Sequence, residues 1–448
     1  MKKLLFIFPA LFVLAFYSGV YQTARAQSDV RSLECAGLYT AIVKLNATRL
    51  KTPFVWRALE GDEYGYEQFR GATRGPAGTI IAGGVFSPPD NDYLNPYLLA
   101  LSSKGDVKWT DKTVQEQDKT IEAVARLGDQ YVTLGDVINP DTRFRGIHIR
   151  IYDMQGNFLK EKNIFDKTYD FYAMDMAVNK DQDIASLLVW VKNPSDKQDQ
   201  YASLLQISAQ GDVIRRRNYR PGPENKLLSL TPKADGTFIA TGWIMQDDAR
   251  KAGWVVRLGP SGYLMWQRAF ARGKNAVFNA GQAHPDGGII VGGYSEPVQR
   301  PPDDKNAAWA LWLDPSGEPK WERFWRADYN LKAQDIITIE GERIQIMVQA
   351  NTKDADKRDH VRVLSLTLRG QLLEQELFME GGNTYGRKFL QHPSGKRVLI
   401  GHAQTVFSLD EAGLGNYPGI YDSWGLMLNA PGPYTDPCKP GARSGTFR

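Results

Sequence analysis

The stretch AWALWLDPSGEPKW (308–321) decides the fold. It sets one carboxylate, Asp314, beside Pro315 in a run rich in tryptophan. Two readings compete. Asp314 is an acid held in an aromatic pocket, or it opens a tight turn between two strands.

Copies of the stretch settle the choice, because internal repeats define an architecture before any single residue does. They are YLLALSSKGDVKW (97–109), GIHIRIYDMQGNFLK (146–160), YASLLQISAQGDVIR (201–215), GWVVRLGPSGYLMW (253–266), VRVLSLTLRGQLLE (361–374) and SWGLMLNAPGPYTD (423–436). Aligned on Gly105, Gly156, Gly211, Gly262, Gly317, Gly370 and Gly432, the spacings are 51, 55, 51, 55, 53 and 62 residues. A large apolar or aromatic residue stands four places before each glycine. The equivalents of Asp314 are Ser102, Asp153, Ser208, Gly259, Thr367 and Asn429, small and mostly polar. Such side chains bond nearby backbone N–H groups at the start of a turn, and glycine takes the positive φ that the turn needs. Asp314 therefore reads as a hairpin residue.

A second strand-like run precedes each copy: TIIAGG (79–84), YVTLGD (131–136), IASLLVW (184–190), FIATGW (238–243), GIIVGGY (288–294), RIQIMVQA (343–350) and RVLIGHA (397–403). A weaker strand lies upstream of each, joined by a tight turn such as HPDGG (284–288). Four antiparallel strands repeated seven times predict an all-β, seven-bladed β-propeller. Inner runs such as ALWL are apolar on both faces, as suits a sheet packed between two neighbours. Trp109, Trp266 and Trp321, each four residues after its turn glycine, read as packing between blades rather than as ligand stackers.

The seventh copy lacks its outer strand, since PYTDPCKPGARSG is poor in strand formers. PFVWRALEG (53–61) resembles the outer strand LMWQRAFARG (264–273), so this N-terminal strand is expected to complete the last blade and leave no open seam. Cys35 and Cys438 flank that junction, and in an exported chain a cysteine pair reads as a disulfide. The expected organisation is a signal peptide (1–26), an N-terminal extension (27–52) read as a short helix, the propeller (53–436) and a tail (437–448).

The signal peptide rests on Lys2 and Lys3, the apolar LLFIFPALFVLAFY, and the A-x-A site Ala24-Arg25-Ala26. It implies a periplasmic or secreted protein with no membrane span. The chain has 55 basic and 51 acidic residues, and three of the basic ones (Lys2, Lys3, Arg25) lie in the leader. The remainder is near neutral, which gives no electrostatic case for nucleic acid.

AHPDGGIIVGGY (283–294), AWALWLDPSGEPKW (308–321) and LEGDEYGYEQF (59–69) carry a resemblance to the ~50-residue repeats of exported bacterial seven-bladed β-propellers, over residues ~53–436. The tryptophan slot also resembles, more loosely, the docking motif of quinoprotein dehydrogenases and of outer-membrane assembly propellers. Three of seven positions keep the tryptophan, so the resemblance does not bring a quinone cofactor with it. It implies a fold and an interaction role, since one fold hosts many activities.

No catalytic signature stands out. The five histidines, His148, His284, His360, His392 and His402, do not pair at metal-ligand spacing, and no G-x-S-x-G elbow, P-loop or dinucleotide fingerprint is present. PPDNDY (88–93) and DADKRD (354–359) are acidic enough to raise calcium, but neither fits an EF-hand loop, and no cofactor is expected. Alignment places Glu67, Glu122, Asp175, Asn279, Asp335 and Arg387 on the innermost strands, as channel-mouth binding candidates or as the polar lining of a water-filled channel. The long loops 87–97, 295–307 and 404–422 belong on one face, where propellers bind. The expected function is binding of a protein or glycan partner without catalysis. The alternative is a periplasmic hydrolase, lyase or lactonase-like enzyme using carboxylates of the channel.

Overall fold

A computed structural model describes residues 40–45, 54–61, 66–88, 93–179, 183–297, 305–339, 343–352, 358–380, 382–404 and 421–431. The first two strands are β1 (Thr40–Lys44) and β2 (Phe54–Glu60). Blade one holds β3 (Tyr66–Arg74), β4 (Ile80–Ser87), β5 (Asn95–Leu101) and β6 (Val107–Asp111). Blade two holds β7 (Ala123–Leu127), β8 (Gln130–Ile138), β9 (Arg145–Asp153) and β10 (Phe158–Ile164). Blade three holds β11 (Asp170–Asn179), β12 (Ile184–Asn193), β13 (Asp196–Ile207) and β14 (Val213–Tyr219). Blade four holds β15 (Asn225–Pro232), β16 (Phe238–Met245), β17 (Lys251–Leu258) and β18 (Leu264–Phe270). Blade five holds β19 (Ala276–Ala283), β20 (Ile289–Ser295), β21 (Ala307–Leu313) and β22 (Pro319–Arg326). Blade six holds β23 (Asn330–Ile339), β24 (Arg343–Asn351), β25 (His360–Thr367) and β26 (Leu372–Phe378). Blade seven holds β27 (Thr384–Gln391), β28 (Arg397–Gln404), β29 (Tyr421–Leu428) and, as its outer strand, β2. The first strands of successive blades touch all the way round and so enclose the channel. The chain is an all-β seven-bladed propeller.

Each inner strand is apolar on both faces because neighbouring blades cover both. The buried core is accordingly a set of inter-blade layers, such as Phe278 stacked on Trp309 with ring centres 4.2 Å apart. Asp314 is the predicted turn residue. Its carboxylate accepts the Ser316 and Glu318 N–H groups at 2.9 and 3.0 Å, and Gly317 has φ of 87°. The Ser316 hydroxyl and Lys320 join them, and together they hold the Asp314 carboxyl well below the usual carboxylate range. Ser102, Asp153, Ser208 and Thr367 cap their own turns in the same way. Gly432 lies outside the described residues.

Closure works as the repeat demands. β2 pairs antiparallel with β29, and its register skips between Phe54 and Trp56, as the other outer strands skip after their turns. Trp56 opposite Met427 therefore sits where Trp109, Trp266 and Trp321 sit opposite Ala100, Arg257 and Trp312. It is a fourth member of the set. Each ring lies on the turn glycine of the next blade: Trp109 on Gly156, Trp266 on Gly317, Trp321 on Gly370 and Trp56 on Gly105. A Cβ at Gly105 would come within 2.8 Å of the Trp56 ring, so glycine serves the packing there as well as the turn.

The extension departs from expectation. Residues 40–44 form not a helix but a strand, β1, which adds in parallel to the outer edge of blade five with Thr40 opposite Glu322 and Lys44 opposite Arg326. The sequence TAIVK is rich in β-branched residues, and an outer edge offers unpaired N–H and C=O groups. Leu45 then buries itself beside Trp321 and Trp325. The segment read as a signal peptide, Cys35, Cys438 and the tail lie outside the described residues.

Blades are also tied by a recurring Asp or Asn that starts, or just precedes, the inner strand. Its side-chain oxygen accepts a backbone N–H of the third strand of the preceding blade or of the residue just before it. The pairs are Asp118 with Leu94, Asp170 with Arg145, Asn225 with Ala202, Asn275 with Lys251, Asn330 with Asn306 and Asn383 with Asp359, at 2.8–3.1 Å. Asn225 is fully buried. Asn225→Ala is expected to cost about 1–3 kcal/mol by leaving the Ala202 N–H unpaired. Asn330→Asp, which keeps the acceptor, is expected to be near neutral. Urea midpoints measure both.

Candidate functional site

The inner strands do not run smoothly past the channel. Each skips one residue against its partner, a β-bulge that re-aims a side chain. The skipped residues are Arg70, Met174, Leu228, Asn279, Gln334 and Arg387. Glu122 holds the matching place in blade two, between the Lys119–Val137 bridge and the Ala123–Leu134 pair. The bulge pushes a carbonyl against the second strand. A Cβ at Gly135 would lie 1.5 Å from the Thr120 oxygen, so only glycine fits. That is the physical origin of the glycines in the LGD and AGG runs.

The six sequence candidates separate into groups. Glu122, Asn279 and Arg387 are bulge residues of the inner layer. Glu122 is ion-paired with Arg70 and accepts from the Thr120 hydroxyl at 2.9 Å. Asn279 donates across to the Ala333 carbonyl at 2.8 Å. Asp175 and Asp335 each follow a bulge and tie their blade to the next: Asp175 accepts the Leu230 N–H and Asp335 the Phe389 N–H, both at 2.8 Å. Lys388 lies 3.4 Å from Asp335, and the two carboxylates hold its ammonium well above the usual lysine range. Burial raises the Asp175 carboxyl, with Lys388 opposing. Glu67 lies elsewhere. It is fully buried, 3.3 Å from Lys112, which rests over the Phe86 and Tyr97 rings.

The alternation of strand directions puts the starts of inner strands, the ends of second strands and the starts of third strands on the long-loop face. A belt of cations on aromatic rings lies there, which sequence reading did not single out. Lys226 sits 4.2 Å over Trp190, Lys251 4.1 Å over Trp243 and Lys332 5.1 Å over Tyr294. Lys192 is 5.9 Å over Trp190, and Trp190 packs on Tyr172 at 5.1 Å. Across the mouth, Tyr385 stacks on His402, and both meet Tyr421. Several pairs join neighbouring blades, as with Trp190 on β12 and Lys226 on β15. Such contacts are worth roughly 0.5–2 kcal/mol, rising with desolvation.

The charges on this rim are unevenly satisfied. Asp136 is 3.1 Å from Arg145 and accepts the Ala173 N–H at 2.7 Å. Asp359 accepts from Tyr385, Asn351 and the Thr352 N–H. Among the described residues Lys226, Lys251, Lys332 and Arg387 make no ion pair. Burial lowers the Lys226 ammonium to about 8, with Lys251 adding repulsion and Asp136 opposing. Burial and neighbouring Arg70 also lower Arg387, although its guanidinium still meets solvent in the channel. Burial, then Arg387 and Arg70, push His402 down to about 2, so the ring is neutral at working pH. Among the described residues no three His, Cys, Asp or Glu side chains cluster as a metal centre, and no helix is long and apolar enough to cross a membrane.

No protein-family model matches the chain, and no curated protein matches it. Solved structures similar in fold include Sqt1 from Chaetomium thermophilum, at 13% identity and TM-score 0.46, covering 84% of this chain and 100% of that one. The α-L-arabinofuranosidase Arb93A from Fusarium graminearum is similar at 10% identity and TM-score 0.44, covering 71% and 99%. The β-propeller domain of the trilobed protease from Pyrococcus furiosus, whose topology is an open velcro, is similar at 11% identity and TM-score 0.44, covering 81% and 93%.

Proposed function

We propose that the protein is an exported binding module that receives a protein or glycan partner at the channel mouth on the long-loop face. The observation that carries this reading is the satisfaction asymmetry of the rim. Its carboxylates Asp136 and Asp359 already accept bonds from the blades, while among the described residues Lys226, Lys251, Lys332 and Arg387 make no ion pair. Groups spent on structure are poor candidates for proton transfer. Cations poised on aromatic faces at a concave opening are what a ligand site offers. Export is supported by the leader-like first 26 residues.

The enzymatic alternative has one observation in its favour. Burial, with Glu122 nearby, pushes the Asp136 carboxyl up to about 6, within the range of a general acid. The bonds that Asp136 makes to Arg145 and to the Ala173 N–H favour a positioning role instead.

Lysine footprinting tests the reading. Host envelope extract is expected to slow acylation at Lys226, Lys251 and Lys332 and to leave Lys104, exposed on the opposite face, unchanged. Protection confined to the opposite face would sink it.

A further inference from the structure

Resting on that reading, we propose that the ligand of the mouth is an acidic oligosaccharide, its carboxylate or sulfate groups held by Lys226 and Arg387 and its sugar rings set against the aromatic belt. Three observations converge. First, among the described residues Lys226, Lys251, Lys332 and Arg387 make no ion pair, whereas Glu122 pairs with Arg70, Asp136 pairs with Arg145, and Asp359 accepts from Tyr385 and Asn351. A concave wall carrying unpaired charge of one sign concentrates the field on its opening and draws a counter-charged ligand.

Second, each lysine is held on an aromatic face, so its position is fixed before the ligand arrives. Trp190, Tyr172 and Tyr294 remain half-buried, with part of each ring open to the mouth. Aromatic rings beside a few placed polar groups suit a ligand with both apolar C–H faces and charged groups. An acidic sugar has both. An acidic peptide has the charge without the flat ring faces.

Third, the site is the opening of a channel whose inner wall carries Arg387 at the bulge level and Lys388 below it. Arg387 is exposed there, within reach of a chain end that enters the channel.

Titration calorimetry with the folded chain tests this, using oligogalacturonides, heparin-derived oligosaccharides, neutral malto-oligosaccharides and poly-glutamate as probes. At least one acidic oligosaccharide is expected to bind. Its affinity is expected to fall about tenfold or more in Lys226→Met and in Arg387→Gln, and to weaken with salt. Lys104→Met is expected to change nothing, and thermal midpoints of the variants confirm folding. Galacturonide and heparin arms distinguish carboxylate from sulfate recognition. Neutral sugars binding equally well would overturn the role of charge. Poly-glutamate binding as tightly as the best sugar would overturn the glycan and leave an acidic protein as the ligand. If no anionic probe binds while Lys226 is still protected by envelope extract, the ligand class is wrong and the mouth remains the site. If that protection is absent as well, both readings fall.

Discussion

Deletion of residues 54–60 is expected to abolish the single cooperative unfolding transition of the ring, and Trp56→Ala alone to cost about 3–5 kcal/mol. The first effect follows from pairing: without β2, the N–H and C=O groups of β29 form an open edge, and blade seven loses its outer wall. The second follows from packing. Trp56 is buried in the layer with Phe69, Tyr97 and Met427 and lies on Gly105 of blade one, so its removal opens a cavity at the closing joint. Scanning calorimetry measures both, and a peptide of residues 54–60 added back to the deleted chain is expected to restore part of the loss. Ile42→Ser on β1 is the control. Ile42 is 62% exposed, and a change below about 0.5 kcal/mol is expected at such a surface site. A Trp56→Ala variant as stable as that control would show that β2 is not what closes the ring.

The second large effect is acid sensitivity, to which His148 contributes alongside buried His402. Its Nε2 lies 2.5 Å from the Thr120 carbonyl and donates to it, and its Nδ1 is buried with no partner. Burial lowers the imidazole from 6.5 to about 4, with Lys119 and Arg150 lowering it further and Glu161 opposing. The folded ring thus resists a proton that the unfolded chain accepts. Between about 6.5 and 4 the unfolded state holds more protons, so stability rises with pH across that window. The full contribution is present above 6.5 and is lost as pH falls toward 4. The loss amounts to about 3 kcal/mol, at ~1.4 kcal/mol per pH unit. His148→Gln keeps a donor for Thr120 and cannot titrate there. Its urea-derived stability is expected to flatten across this window relative to the parent chain, and parallel slopes in the two proteins would remove His148 as a cause.

What could be read from the chain in advance was what repeats along it. The turn at Asp314 was legible because positive φ restricts residue choice and the same restriction recurs at Gly105, Gly156 and their counterparts. The closing role of residues 53–61 was legible because the seventh copy lacked a strand. Trp56 was in plain view yet missed as a fourth repeat tryptophan, because its slot is defined by pairing with a strand almost the whole chain away. The Asx ties were equally periodic, at spacings of 52, 55, 50, 55 and 53 from Asp118 to Asn383, but their acceptor role needs the neighbouring blade to be in place. β1 could not be read from five residues, because an edge strand has no apolar period. Among the candidates, the placement of Glu122 and Arg387 at the inner-strand bulge level follows from the repeat. Lys226, Lys251 and Lys332 were not legible, because a lysine in a sequence looks like a solvated charge until an aromatic ring from an adjoining strand comes under it.

The pairing of β2 with β29 has a consequence for how the molecule is made. The strand that shuts the circle leaves the ribosome early, and its partner emerges only after residue 421. Through nearly all of synthesis the early segment has nothing to zip onto, and β1 likewise waits for Glu322–Arg326. Six wedges can stack as they appear, but the toroid cannot become a single body until translation is nearly over. The TAIVK and FVWRALE segments stay unpaired until then, and the final step is a slow long-range search rather than local zippering.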